Sequence, residues 1–293
     1  MNFLITNISN YALHLLNHHS SGIVHSVYQK TINLAIGHTL LTLQTKDTPL
    51  SPLSLITNLS VKNFNSLKIS TGQTFKVNPK TCSIDILLSS GEKYSFCFLN
   101  IECTNLYLNV SLPSTQTEQL LEQIKTVLID SDTNGFSLIF INPQQINLSP
   151  DSFILSYAKE KIRKSYLYYM EESFYKSARE LSDLIGVGIG LTPSGDDFLC
   201  GVLAGLILIN TEQDPFATYL KKLIGENLNR TNDISAAFLS CALKGHFSQA
   251  VCSLPLLSSS SEIYKSFGKI GHSSGMDTLC GILYVLLLYK NIK

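Results

Sequence analysis

Apolar and polar residues alternate over most of the first hundred positions. In Tyr94-Ser95-Phe96-Cys97-Phe98 the aromatics fall on one face and Ser95 and Cys97 on the other, the period of a half-buried strand. Cys82–Leu88 precedes it across Ser89-Ser90-Gly91-Glu92, a hairpin loop. TLLTLQ, LKIST, TFKV and LYLNV predict further short strands, and Tyr11–Asn17 a short helix. After Pro113 the period lengthens. Thr115 to Glu118 forms a capping-box pattern, and Leu120, Leu121, Ile124, Val127 and Leu128 follow at helical spacing. Ser152 to about Ile185 lacks Pro and Gly and predicts one or two helices. Further helices are predicted over Phe198–Asn210, Pro215–Asn229, Asn232–Lys244 and Asp277–Lys290, with Gly245 placed to end the third of them. Leu257–Glu262 is expected to be a loop. The pattern therefore predicts an α+β protein. A β-rich, barrel-like domain over 1–112 is followed by a mainly α-helical domain over 113–293.

One string occurs twice. LTPSGDDFLCG, Leu191 to Gly201, is echoed 80 positions later by GHSSGMDTLCG, Gly271 to Gly281, with Ser, Gly, Asp, Leu, Cys and Gly in register. The structural account is a duplicated helix start. Ser194 or Ser274 caps the helix and Asp197 or Asp277 reaches back, or else Thr192 caps with Pro193 at the first helical position. The functional account rests on three features. Gly195 and Gly275 follow the serines directly, which costs helix stability and permits close approach of a backbone or a ligand. Gly186, Gly188 and Gly190 alternate ahead of the first copy and expose amides of the kind that make anion sites. Asp196 adjoins Asp197, so one acid is available to a ligand, a divalent cation or a proton. Met276 stands where the first copy has Asp196, so that acid is not duplicated.

Composition narrows the classes. The chain is 44% hydrophobic but only 15% charged, and 22 Lys and Arg balance 22 Asp and Glu. A neutral chain lacks the basic footprint of a nucleic-acid binder, and no basic amphipathic run suggests a membrane partner. No signal peptide is read at the N-terminus. The longest apolar runs fall short of the roughly 20 residues a bilayer requires. Seven cysteines without a CxxC pair fit reduced thiols and a cytoplasmic setting. His and carboxylate spacings match no metal-ligand pattern, and no cofactor is expected.

Arginine occurs only at 163, 179 and 230. Arg230-Thr231-Asn232-Asp233-Ile234-Ser235 opens a small-residue helix and offers a cation with hydroxyls. His272 precedes the second copy at the place of Thr192, where it would serve as an acid–base near neutral pH or bond to backbone. His25-Ser26 could reach a site from the first domain or lie along a strand.

GIGLTPSGDDFLCG resembles the signature of the AllH-type subunits of oxamate carbamoyltransferase, from allantoin degradation. SGIVHSVYQKTINL, RTNDISAAFLSCALKGHF and GHSSGMDTLCGIL resemble the same family. The resemblance implies transfer of a carbamoyl group between carbamoyl phosphate and oxamate by a multi-subunit enzyme, with a small anionic substrate and other protein subunits as partners. Matching positions are Gly190, Thr192, Pro193, Ser194, Gly195, Asp196, Asp197, Arg230, Thr231, Ser235, Ser274, Gly275 and Asp277, then His25 and Ser26. The expected site joins Asp196, Asp197, Asp277 and His272 as chemistry-bearing groups. Gly188, Gly190, Thr192, Ser194, Gly195, Arg230, Thr231, Ser235, Ser273, Ser274, Gly275, His25 and Ser26 would be substrate contacts. Two other readings stay open: a non-catalytic metabolite-binding or assembly subunit, and a metal-dependent hydrolase using Asp196 and Asp197.

Overall fold

A computed structural model describes residues 1–131, 135–146 and 151–290. The chain divides into two compact units, Met1–Leu106 and Tyr107–Lys293.

The first unit holds strands β1 (Asn2–Ser9), β2 (Ser21–Val27), β3 (Thr31–Ile36), β4 (Thr39–Gln44), β5 (Ser54–Thr57), β6 (Thr74–Asn78), β7 (Ser83–Leu87), β8 (Lys93–Cys97) and β9 (Glu102–Thr104). Helix α1 (Asn10–His18) follows β1, and the short α2 (Val61–Asn65) follows β5. The order is β5-β4-β3-β2-β6-β7-β8-β1, and β1 pairs back onto β5 with Ile5 opposite Thr57, closing an eight-stranded barrel. Strand β9 continues alongside the far end of β1. Alternation fills the interior. Ile84 faces Phe96, Ile86 faces Tyr94, and Phe3 stacks on Phe96. Closure matters because an open sheet leaves unpaired backbone edges. Two expected strands are corrected. LKIST is loop, its Ser70 amide donating to the Gln73 side chain. LYLNV makes a single bridge, Tyr107 to His246. The Leu108 amide bonds Gly245 O instead, and just beyond the segment the Leu112 amide bonds Leu208 O.

The second unit is helical: α3 (Ser114–Asp130), α4 (Ser137–Ile141), α5 (Ser152–Met170), α6 (Phe174–Ser182), α7 (Ser194–Leu208), α8 (Pro215–Glu226), α9 (Asp233–Leu243), α10 (Gln249–Ser253), α11 (Ser260–Phe267) and α12 (Ser274–Lys290). No described helix is long and apolar enough to cross a membrane. The span from Ser152 breaks into α5 and α6 at Glu172, whose φ of 55° no helix continues. Gly245 ends α9 with φ 81°, as its place predicts. The capping box at α3 does not form. Pro113 occupies the cap position and Thr117 bonds its carbonyl O instead. The serine tract expected as loop starts α11, with Ser259 accepting from the Glu262 amide and Glu262 accepting from Ser258. A capping box was present there, read as a linker.

Helices α7 and α12 are apolar on nearly every side and form the centre of this unit. Gly201 lies against Thr278 and Gly281, and Gly205 against Ile282 and Val285. Residue numbers rise together along the contact, so the two helices run parallel. A Cβ on Gly201 would collide with Thr278 O, and one on Gly281 with Phe198 O. These are the same contact seen from both sides, displaced by the 80-residue repeat. The duplication is a pair of helices packed about a local two-fold axis.

Gly201→Ala and Gly281→Ala should each force these backbones apart and destabilise the helical unit by about 1–3 kcal/mol, the cost of overpacking. Denaturant unfolding followed by helical circular dichroism measures it. A loss under about 0.5 kcal/mol, typical of surface changes, would contradict the packing.

Candidate functional site

Parallel packing places the starts of α7 and α12 side by side. Thr192 Oγ1 and Ser274 Oγ are 2.9 Å apart, although 82 residues separate them in the chain. The expected serine cap on α7 is absent, because Pro193 takes the cap position without a side-chain bond. The serines face across the pair instead. The Ser194 hydroxyl is near enough to the Asp277 carboxyl, and the Ser274 hydroxyl to the Asp197 carboxyl, to pull each pKa down. Each copy of the repeat thus sets a hydroxyl beside the other copy's acid.

Three carboxyl groups gather here. Asp196 is 1% exposed and fully engaged. Its Oδ1 accepts from the Gly186 amide at 2.9 Å, and its Oδ2 accepts from Thr231 Oγ1 at 2.5 Å and Ser235 Oγ at 2.7 Å. It ties the glycine loop and the start of α9 to α7. Burial raises its pKa, against the pull of those three donors. Asp277 is wholly buried, and its Oδ1 accepts from the Phe136 amide at 2.7 Å. Burial pushes its pKa up to about 6. Asp197 is pushed well above the ordinary carboxylate range by burial first and by the Asp277 carboxyl second, with the Ser274 and Thr192 hydroxyls opposing. Asp197 Oδ2 and Asp277 Oδ2 are both cut off from solvent without a hydrogen-bond partner. Like charges in one buried site cannot both ionise cheaply. The helix dipoles favour anions at this end, at about 0.3–1 kcal/mol per helix. Desolvation outweighs them, and both acids have pKa values above the ordinary carboxylate range.

The other expected residues fall as follows. Thr231 and Ser235 join the cluster through Asp196. The Ser273 hydroxyl lies near enough to Asp277 to lower its pKa. Gly195 and Gly275 admit backbone, since a Cβ on either would strike Leu184 O or Phe267 O. Gly188 backs onto the Ser194 amide, while Gly190 is exposed with open space around it. The Gly186 amide, expected to face an anion, is spent on Asp196. The Arg230 guanidinium turns outward, 3.5 Å from Ser182 O and 3.5 Å from Asp183 Oδ1. His272 is exposed in the turn before α12. His25 and Ser26 lie on β2 of the barrel, their side chains 3.0 Å apart, and Ser26 accepts from Asn33. Among the described residues no three His, Cys, Asp or Glu side chains group as a metal ion needs.

Gly135 and Phe136 were not among the expected site residues. Gly135 has φ 59°, and a Cβ there would collide with the Asp277 carboxyl that Phe136 binds. A glycine ahead of a short apolar helix was the available signal, but nothing linked it to a residue 141 positions away.

Two family models match the chain. The one described as oxamate carbamoyltransferase subunit AllH covers residues 184–286, and the AllH family N-terminal domain covers residues 5–98. The first span contains both starts of the repeat. No curated protein and no solved structure matches the chain.

The folded pKa of Asp277, about 6, lies above its ordinary 3.8. Its contribution to stability is therefore complete below about pH 4 and lost as pH rises through 6. The difference is up to about 3 kcal/mol. Stability of the parent should fall from pH 5 to pH 8 relative to Asp277→Asn, which keeps the bond to Phe136 without the charge. Parallel pH profiles in chemical denaturation would contradict the buried acid.

Proposed function

This chain belongs to the AllH family, that of an oxamate carbamoyltransferase subunit, and from that membership we propose that it works with other protein subunits to move a carbamoyl group between carbamoyl phosphate and oxamate. The reacting groups would meet at the paired starts of α7 and α12. The observation that supports this place most is Asp197, a carboxyl whose pKa burial raises well above the ordinary range, between two helix N-termini and beside the Thr192 and Ser274 hydroxyls.

A protonated carboxyl answers the difficulty of three acids in a site for anions. It donates a hydrogen bond where a carboxylate would repel, as in other enzymes that keep a buried acid neutral. In the reaction the oxamate nitrogen attacks the carbamoyl carbon, the carbon–oxygen bond to phosphate breaks with its electron pair, and a proton leaves the nitrogen. Charge builds on the carbamoyl oxygen, where hydroxyl donors and helix N-termini stabilise it. Asp197 would give its proton to the departing phosphate oxygen and, then ionised, take the proton that leaves the nitrogen, with Asp277 raising its affinity. Asp196 is a positioning residue that holds the Gly186–Gly190 loop and the start of α9.

Two features favour a site completed by another chain. Phosphate needs a cation, and Arg230 is engaged by Asp183 and Ser182 O. Ile189 and Leu191 are 69% and 49% exposed on the loop that leads into α7. Adjacent exposed aliphatic side chains beside a polar site are the kind of surface that a partner subunit covers.

In the assembled enzyme, Asp197→Asn should lower kcat by about 10²–10⁴-fold with little change in KM, the range of a lost acid–base. Parental kcat in Asp197→Asn would remove Asp197 from the chemistry. Replacing Ile189 and Leu191 together by Ser should weaken assembly at least tenfold, read by co-purification and sedimentation. Undiminished assembly would place the partner elsewhere.

A further inference from the structure

A second polar hollow lies at the opposite end of α7. A cavity of about 340 Å³ is bounded by the extended segment 107–111, by Leu203, Ile207 and Asn210 at the end of α7, by Glu212 and Lys221, and by the end of α9. Its nearest lining residue on α7, Leu203, is nine residues from Ser194 at the start of that helix, about 14 Å at 1.5 Å per residue. The size matches the lower range of small-molecule sites.

Glu212, Lys221 and Lys244 bring charge to its lining. Lys221 Nζ donates to the backbone O of Glu212 at 2.8 Å, which leaves two of the three ammonium hydrogens for other acceptors. Lys221 is half-buried, and burial lowers its pKa while the Glu212 carboxylate opposes. Glu212 Oε2 is cut off from solvent and has no hydrogen-bond partner. The side chains of Glu212 and Lys221 line one cavity and attract each other, yet the ammonium does not bond that oxygen. An unpaired buried carboxylate oxygen is costly and calls for an N–H donor. The extended segment of the lining is pinned by the Leu108 amide on Gly245 O, and the Leu112 amide beyond it by Leu208 O. The carbonyl ends of α7 and α9 also converge on the hollow and favour a cation there.

We infer that this cavity binds a small zwitterionic amino acid, its carboxylate on Lys221 and its ammonium on Glu212. A ligand with one charge would satisfy one side chain and strand the other. The inference is independent of the site at Asp197.

The test is calorimetric titration of the full chain with glycine, β-alanine and 4-aminobutyrate, which span three separations of the two charges, beside acetate and methylammonium. At least one zwitterion should bind at millimolar Kd or better, and acetate and methylammonium at least tenfold more weakly. Glu212→Gln and Lys221→Met should each weaken that zwitterion at least tenfold, whereas Asp197→Asn should leave its Kd unchanged. Circular dichroism checks that the variants fold. Failure of all three zwitterions to bind overturns the inference. So does binding that survives both substitutions, or acetate binding as tightly as the zwitterion.

Discussion

The contact between α7 and α12 at Gly201 and Gly281 is the constraint on which the helical unit depends. Parallel helices with backbones this close require a hydrogen where any other residue carries carbon. Once that contact is made, the rest of the geometry is forced. Two helix starts 80 residues apart in sequence must emerge together, with Thr192 and Ser274 in hydrogen-bond contact. The placing of Ser194 beside Asp277 and of Ser274 beside Asp197 follows from this symmetry.

Side-by-side parallel helices set their positive ends against each other, which is unfavourable until negative groups intervene. Aspartates at the starts supply them, but the site is dry enough that full ionisation costs more than the dipoles return. The outcome is a pair, Asp197 and Asp277, whose proton affinity is raised by burial and by mutual proximity. Asp196, one residue away, behaves differently because three donors absorb its oxygens. The break in the repeat at Met276 fits this division. Met276 is buried in the core, so only one copy carries the bolt to α9.

The two-part fold was legible because alternation in YSFCFL and the spacing from Leu120 onward are direct traces of barrel and helix. The repeat was legible as well, including its pairing of starts. What those residues do locally was not. Ser194 looks like a cap in one dimension, but Pro193 takes the cap position and the Ser194 hydroxyl stands beside the Asp277 carboxyl. Gly195 and Gly275, open by sequence to a backbone or a ligand, admit carbonyls of their own unit. The bond from Phe136 to Asp277, and the meeting of Lys221 with Glu212 in one cavity, depend on tertiary packing that no local pattern records. Segments such as LKIST show the converse error, in which strand-like alternation lacked a neighbouring strand to pair with.

The account rests most heavily on a carboxyl pair whose pKa values are raised by burial between two packed helix starts. Nuclear magnetic resonance of the protein carrying carbon-13 at the aspartate carboxyls, titrated from pH 3 to pH 9 and assigned with Asp197→Asn and Asp277→Asn, reads both titrations directly. The account predicts that Asp277 titrates near 6 and Asp197 well above the ordinary carboxylate range, with Asp197 shifting down when Asp277 is replaced. Two independent titrations near pH 4 would contradict it.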